Sequence, residues 1–121
     1  MSQYYEVGGE TVWNPSTGVS QVFLGYVRVH EERLRMPSGF GPMRNDECEI
    51  DPAAFEAYLQ ALVDWYDRTS HSVLAALTEG FIATLLAVAH RTGIEVRPPE
   101  GHGWAARALA LSVELHGSMA R

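Results

Sequence analysis

Lysine is absent from this chain of 121 residues; all nine basic residues are arginine, against 15 acidic ones, for a formal charge of −6. A nucleic-acid footprint needs clustered basic side chains. The tightest group here, Arg28, Arg33 and Arg35, is interleaved with Glu31 and Glu32, so no nucleic-acid partner is expected. Cysteine is nearly absent too. Cys48 stands alone, which excludes an internal disulfide and fits a reducing cytoplasmic setting. The opening MSQYYEVGGE carries neither a basic leader nor an apolar stretch of the signal-peptide kind, so none is expected. The longest apolar run, Val73 to Ala89, has 17 residues and contains Glu79 and Gly80. It falls short of the roughly 20 residues a membrane span requires, and no membrane partner is expected.

What is present suits an ordinary globular domain. Hydrophobic residues make up 46% and charged residues 20%, enough for a core that folds without a disulfide or metal. A single domain with no metal and no cofactor is therefore expected.

Tyr4–Val7 and Glu10–Trp13 are β-favouring runs joined by Gly8-Gly9. Two glycines accept the positive φ of a primed turn, which predicts a hairpin over 3–13 with Tyr5 opposite Val12 and Tyr4 opposite Trp13. Asn14-Pro15 reads as N-cap and first helical residue of a helix over 15–36, with Val19, Val22, Phe23, Tyr26, Val27, His30 and Leu34 on one stripe. Residues 37–50 form a long loop. Asp51-Pro52 then starts a helical run whose apolar stripe stays in phase from Phe55 to Val88, ending at Gly93. One continuous helix over 52–92 would be about 60 Å long, against a domain diameter of roughly 35 Å. A break or kink at Arg68-Thr69-Ser70-His71 is expected, the alternative being an elongated dimer. Arg97-Pro98-Pro99 is a rigid linker to a last helix over 102–117, with Trp104, Ala108, Leu109, Val113 and Leu115 inward. The fold class is mainly α, an N-terminal β-hairpin plus a bundle of three to four helices.

Glu79 is the sharpest chemical signal, because a carboxylate within an apolar helix must be paired, protonated or opened to a pocket. Burial would prepare it as a general acid or base, with His71 or Asp67 as second catalytic group. On the polar edge of the helix it would instead meet an arginine. Asp64, Asp67 and His71 share a face at i, i+3 and i+7, a spacing that suits a divalent metal only weakly. Asn45, Asp46, Glu47, Glu49 and Asp51 lack the glycine and distal glutamate of a calcium loop and are better placed as charge at a helix N-terminus. Cys48 lies just ahead of that N-terminus, where a thiolate is favoured, yet the packing role is preferred. The amphipathic aromatics Trp13, Tyr26, Trp65 and Tyr66 are candidates to line a ligand pocket or interface.

At TVWNPS (11–16), GFGPMRNDECEIDPAAFEAY (39–58) and SVLAALTEGFIATLL (72–86) the chain resembles a family of small Streptomyces-type proteins known only as a domain of unknown function. The resemblance covers most of residues 3–93. It implies an actinobacterial source and a single-domain protein, with which the arginine-for-lysine usage agrees, and it supplies no catalytic residues.

The function expected from the sequence is that of a small cytoplasmic accessory protein. It would act as a helix-mediated homodimer that recognises a partner protein or a small apolar molecule. The dimer follows from the arc Leu74, Leu77, Phe81, Ile82, Leu85 and Leu86, wider than one packing partner covers. The alternatives are a cofactor-free cyclase or isomerase of secondary metabolism using Glu79 with His71 or Asp67, and an immunity-type protein.

Overall fold

The computed structural model describes residues 1–97 and 103–119. Strands β1 (Tyr4–Val7) and β2 (Glu10–Trp13) are followed by helix α1 (Thr17–Leu34) and strand β3 (Glu47–Glu49). Helices α2 (Pro52–Arg68), α3 (Ser72–Thr92) and α4 (Trp104–Ser118) complete it. This is the mainly helical architecture with an N-terminal hairpin that the pattern predicts.

Gly8 and Gly9 take φ of 58° and 86°, so the turn is the primed type. The hairpin register differs from expectation. Val7 faces Glu10 and Glu6 faces Thr11, but Tyr5 then faces Trp13 rather than Val12. A bulge inserts Val12 as an extra residue, which lets Tyr5, Val12 and Trp13 all be buried. The stacked Tyr5 and Trp13 rings lie 5.1 Å apart.

The stretch 37–50 is not all loop. β3 pairs in parallel with β1, Cys48 opposite Tyr5, giving the sheet order β2-β1-β3. Cys48 and Ile50 alternate inward with exposed Glu47 and Glu49. Gly39 settles this segment onto the start of α2. Its φ is +87°, and a Cβ there would lie 2.6 Å from the Asp51 carbonyl oxygen and 2.7 Å from the Phe55 nitrogen.

α1 begins two residues later than the sequence suggests. Ser16, not Asn14, is the N-cap, its hydroxyl accepting from the Val19 N–H at 3.3 Å. Pro15 lies before the cap, where its carbonyl accepts from Gln3 N–H at 3.0 Å. α2 starts as predicted, with Asp51 accepting from Ala53 N–H at 3.2 Å and Pro52 next to it. It packs on α1 partly through the Tyr58 hydroxyl, which donates to the Val27 carbonyl at 3.0 Å.

The long helical run stops at Arg68 and restarts at Ser72. Thr69 and His71 are extended, and the Thr69 hydroxyl accepts from His71 N–H at 3.3 Å. α3 is the central element: Ala75, Thr78, Phe81, Ile82, Ala83, Leu85 and Ala87–Ala89 are all buried. Its 21 residues are long and apolar enough to cross a membrane by length and composition, which the shorter run read from sequence was not, and half of that window is buried within the fold.

α4 lies along α3 with Ala108 and Ser112 inward. Leu109 and Val113, expected inward, are exposed instead, because the helix is turned so that its small residues meet α3. Pro98 and Pro99 of the expected linker lie outside the described residues. Arg97 exchanges backbone hydrogen bonds with the Gln60 side chain, N–H to Oε1 at 2.8 Å and Nε2–H to the carbonyl at 3.3 Å.

Candidate functional site

Two faces of α3 stand out. The first looks towards α1. The buried stripe of α1 is Ser20, Phe23, Val27 and His30. One step round the helix, Val19, Val22, Tyr26 and Val29 form a second row at 3-4-3 spacing, and all four are exposed. On α3, Val73, Leu77, Gly80 and Thr84 run at 4-3-4 spacing, with Val73 and Leu77 72% and 63% exposed. Between the two rows is a cleft of about 670 Å³ whose floor includes Trp13, Phe23 and Phe81. Tyr26 stacks on Phe81 at 5.4 Å, and Phe81 stacks in turn on the buried His30 at 5.4 Å.

The residues that line the cleft carry no charge. α1 has no ionisable residue but Tyr26 from Thr17 to Val27, and α3 has only Glu79 from Ser72 to Ala89. Gly18, Gly25 and Gly80 are open, with nothing within 4 Å of where a Cβ would stand. The arc from which a dimer was expected is largely covered by the chain's own fold: Phe81, Ile82 and Leu85 are buried, Leu74 and Leu86 half-buried, and Leu77 alone is fully outward. The open apolar surface is therefore shared between α1 and α3. The sequence places Val19, Val22 and Tyr26 on one stripe with Phe23 and Val27, and an apolar arc that wide is the signal that one edge of it stays uncovered.

The second face of α3 looks towards α4 and holds Glu79. Its Oε1 accepts from Arg107 Nε–H at 3.1 Å, the carboxylate side chain being 24% exposed and the guanidinium 65%. Arg107 also lies over Trp104, 5.9 Å from the ring centroid. These three line a pocket of about 190 Å³ with Ser72, Ala75 and Ala76. The Tyr66 hydroxyl, on which the charges of Glu79 and Arg107 act, is buried without a hydrogen-bond partner. Burial raises its pKa, the Glu79 charge raises it further, Arg107 lowers it and Asp67 raises it.

Asp67 and His71 do not join Glu79. Asp67 is buried at the end of α2, where Oδ1 accepts from Ala105 N–H at 3.2 Å and so caps α4, while Oδ2 has no hydrogen-bond partner. His71 is exposed as the N-cap of α3, with no side-chain capping bond. Among the described residues no hydrogen bond or ion pair connects any two of Glu79, Asp67 and His71. The interruption after Arg68 removes the shared face on which the Asp64–Asp67–His71 reading rests, and Asp64 accepts from Gln60 Nε2–H at 3.0 Å.

Of the four aromatic candidates, Trp13 and Tyr26 line the cleft. Trp65 lies behind it, 6.0 Å from His30 and under the Arg33 guanidinium, and Tyr66 belongs to the Glu79 side. Cys48 is fully buried and donates to the Gly41 carbonyl at 3.3 Å; burial pushes its thiol up to about 11, which leaves no thiolate at neutral pH. In the acidic stretch, Asp51 caps α2, while Asn45 and Asp46 make a turn with φ of 52° and 62°. No group of three His, Cys, Asp or Glu among the described residues is placed to hold a metal ion.

No curated protein and no solved structure matches the chain. A family model does, over residues 1–121: the chain belongs to the family of unknown function DUF6086.

Proposed function

We propose that the protein is a binding protein that works as a homodimer through the α1–α3 face. One observation carries this reading: two exposed, uncharged apolar rows at heptad-like spacing flank a cleft in a chain whose net charge is −6. An acidic molecule repels its own copies over most of its surface. On this face a second copy presents an equally uncharged and apolar surface, as a two-fold interface requires. Glycines at 18, 25 and 80 leave room for close helix approach. Full burial of a large apolar side chain contributes roughly 1.5–3 kcal/mol, so half-exposed ones contribute about 1 kcal/mol each. The six from each copy (Val19, Val22, Tyr26, Val29, Val73 and Leu77) then sum to on the order of 10 kcal/mol, comparable with the roughly 4–15 kcal/mol cost of association.

Light scattering at tens of micromolar protein tests this, and the expected mass is twice that of the chain. Val22→Glu and Leu77→Glu each place a charge on an exposed position, so both variants fold, with unchanged circular dichroism, and run as monomers. A monomeric parent protein overturns the dimer. A second reading, a cleft for a small apolar molecule, is favoured by its volume, within the range of roughly 300–1,000 Å³ typical of ligand sites. Saturable quenching of Trp13 by an apolar dye in a monomeric protein supports that reading instead.

A further inference from the structure

The pocket on the α4 side of α3 is lined by Glu79, Trp104 and Arg107. A carboxylate and an indole face converge on one point, and that point is already occupied by a guanidinium from the chain itself. Arg107 donates to Glu79 at 3.1 Å and overlies Trp104 at 5.9 Å. A carboxylate beside an aromatic face is the pairing by which proteins recognise organic cations. The occupant is held loosely, since Arg107 is 65% exposed and pairs of such exposure bind weakly. The walls beside it, Ser72, Ala75 and Ala76, are small and leave a recess of about 190 Å³. The buried Tyr66 hydroxyl, which has no hydrogen-bond partner, is close enough for the charges of both Glu79 and Arg107 to act on it.

We propose that this pocket is a guanidinium-binding site, in which Arg107 is a resident stand-in that an external guanidinium replaces against Glu79 and Trp104. The ligand is a small guanidinium compound or an arginine side chain of another molecule, since both present the same planar fork of donors. The net charge of −6 draws such cations to the molecule. The site shares only Ala76 with the α1–α3 cleft and does not depend on the dimer.

The stand-in makes an unusual demand on mutagenesis: deleting a residue in the pocket must improve binding. Full-length protein labelled with ¹⁵N is titrated with ethylguanidinium chloride at constant ionic strength, following the Trp104 indole resonance, with a Gly-Arg-Gly peptide as the second arm. Arg107→Ala, at an exposed position, is expected to bind ethylguanidinium at least five-fold more tightly than the parent. Adding Glu79→Gln to Arg107→Ala is expected to weaken binding at least ten-fold, with circular dichroism confirming that both variants fold. The arm that binds more tightly identifies the source, free ligand or arginine side chain. Failure of Arg107→Ala to tighten binding, or indifference to Glu79→Gln, overturns the proposal.

Discussion

Burying an imidazole among aromatic rings sets its preferred protonation state. His30 is buried, lies nearly parallel to Phe81 at an interplanar angle of 9°, and neighbours Arg33. Burial, and then the Arg33 charge, lower its pKa below the ordinary 6.5. Below that pH the unfolded chain binds a proton the folded one resists, so stability is full above about 6.5 and falls on acidification. Glu31 adds a second loss further down. Burial raises its pKa, but hydrogen bonds from the Ser38 hydroxyl and N–H, together with Arg28, more than offset this and hold it below the ordinary 4.5. His30→Phe keeps the stacking and removes the proton site. Its melting temperature is expected to be flatter than that of the parent between pH 7 and 5, while the loss below about 4.5 persists. Parallel curves for the two proteins contradict the assignment. Residue roles were only partly legible in the sequence. That Glu79 needs a partner follows from its apolar context, but the partner is 28 positions on, Arg107, in a helix whose rotation no local pattern fixes. Asp67, a weaker candidate in the sequence, is a cap for α4, a role visible only once the two helices meet.

At the scale of elements, the junction between α2 and α3 lacks a side-chain cap. Asp51 and Ser16 cap α2 and α1 with side-chain bonds, whereas His71 gives α3 none. His71→Asp supplies an acceptor at an exposed position and is expected to raise stability by about 1 kcal/mol, read from urea unfolding; a neutral or negative change places His71 in some other role. The apolar stripe ran in phase across this junction because both helices bury the same side against the common core, so periodicity alone could not report the break. The mismatch of length with domain size and the run Thr69-Ser70 did. β3 was invisible for a different reason. Its three residues, Glu-Cys-Glu, have no β-branched or aromatic member, and they become a strand only because β1 offers an open edge and Cys48 a buried side. The hairpin itself was legible from its glycines; its bulge was not, since it serves the packing of Trp13 rather than the turn.

For the molecule as a whole, the mainly helical class with an N-terminal hairpin followed from pattern. The cleft did not, because which edge of an apolar arc stays open depends on how far apart α1 and α3 are held, and Phe81, Phe23 and Trp13 set that spacing from below. One further side chain acts at this scale. The Arg91 guanidinium, on α3, donates to the Val12 carbonyl at 3.0 Å, to the His116 carbonyl at 3.2 Å, and to the Met119 carbonyl. A single planar group thus fastens β2 and the last turn of α4 to one point. Loosening either one frees the shared guanidinium that also holds the other, so the two should open as one cooperative unit despite lying about a hundred residues apart in the chain. Amide hydrogen exchange reads this directly. In Arg91→Met, protection is expected to fall together at β2 and at 115–119 while α2 keeps its own. Loss at only one of the two would show that Arg91 links them in space without coupling their motion.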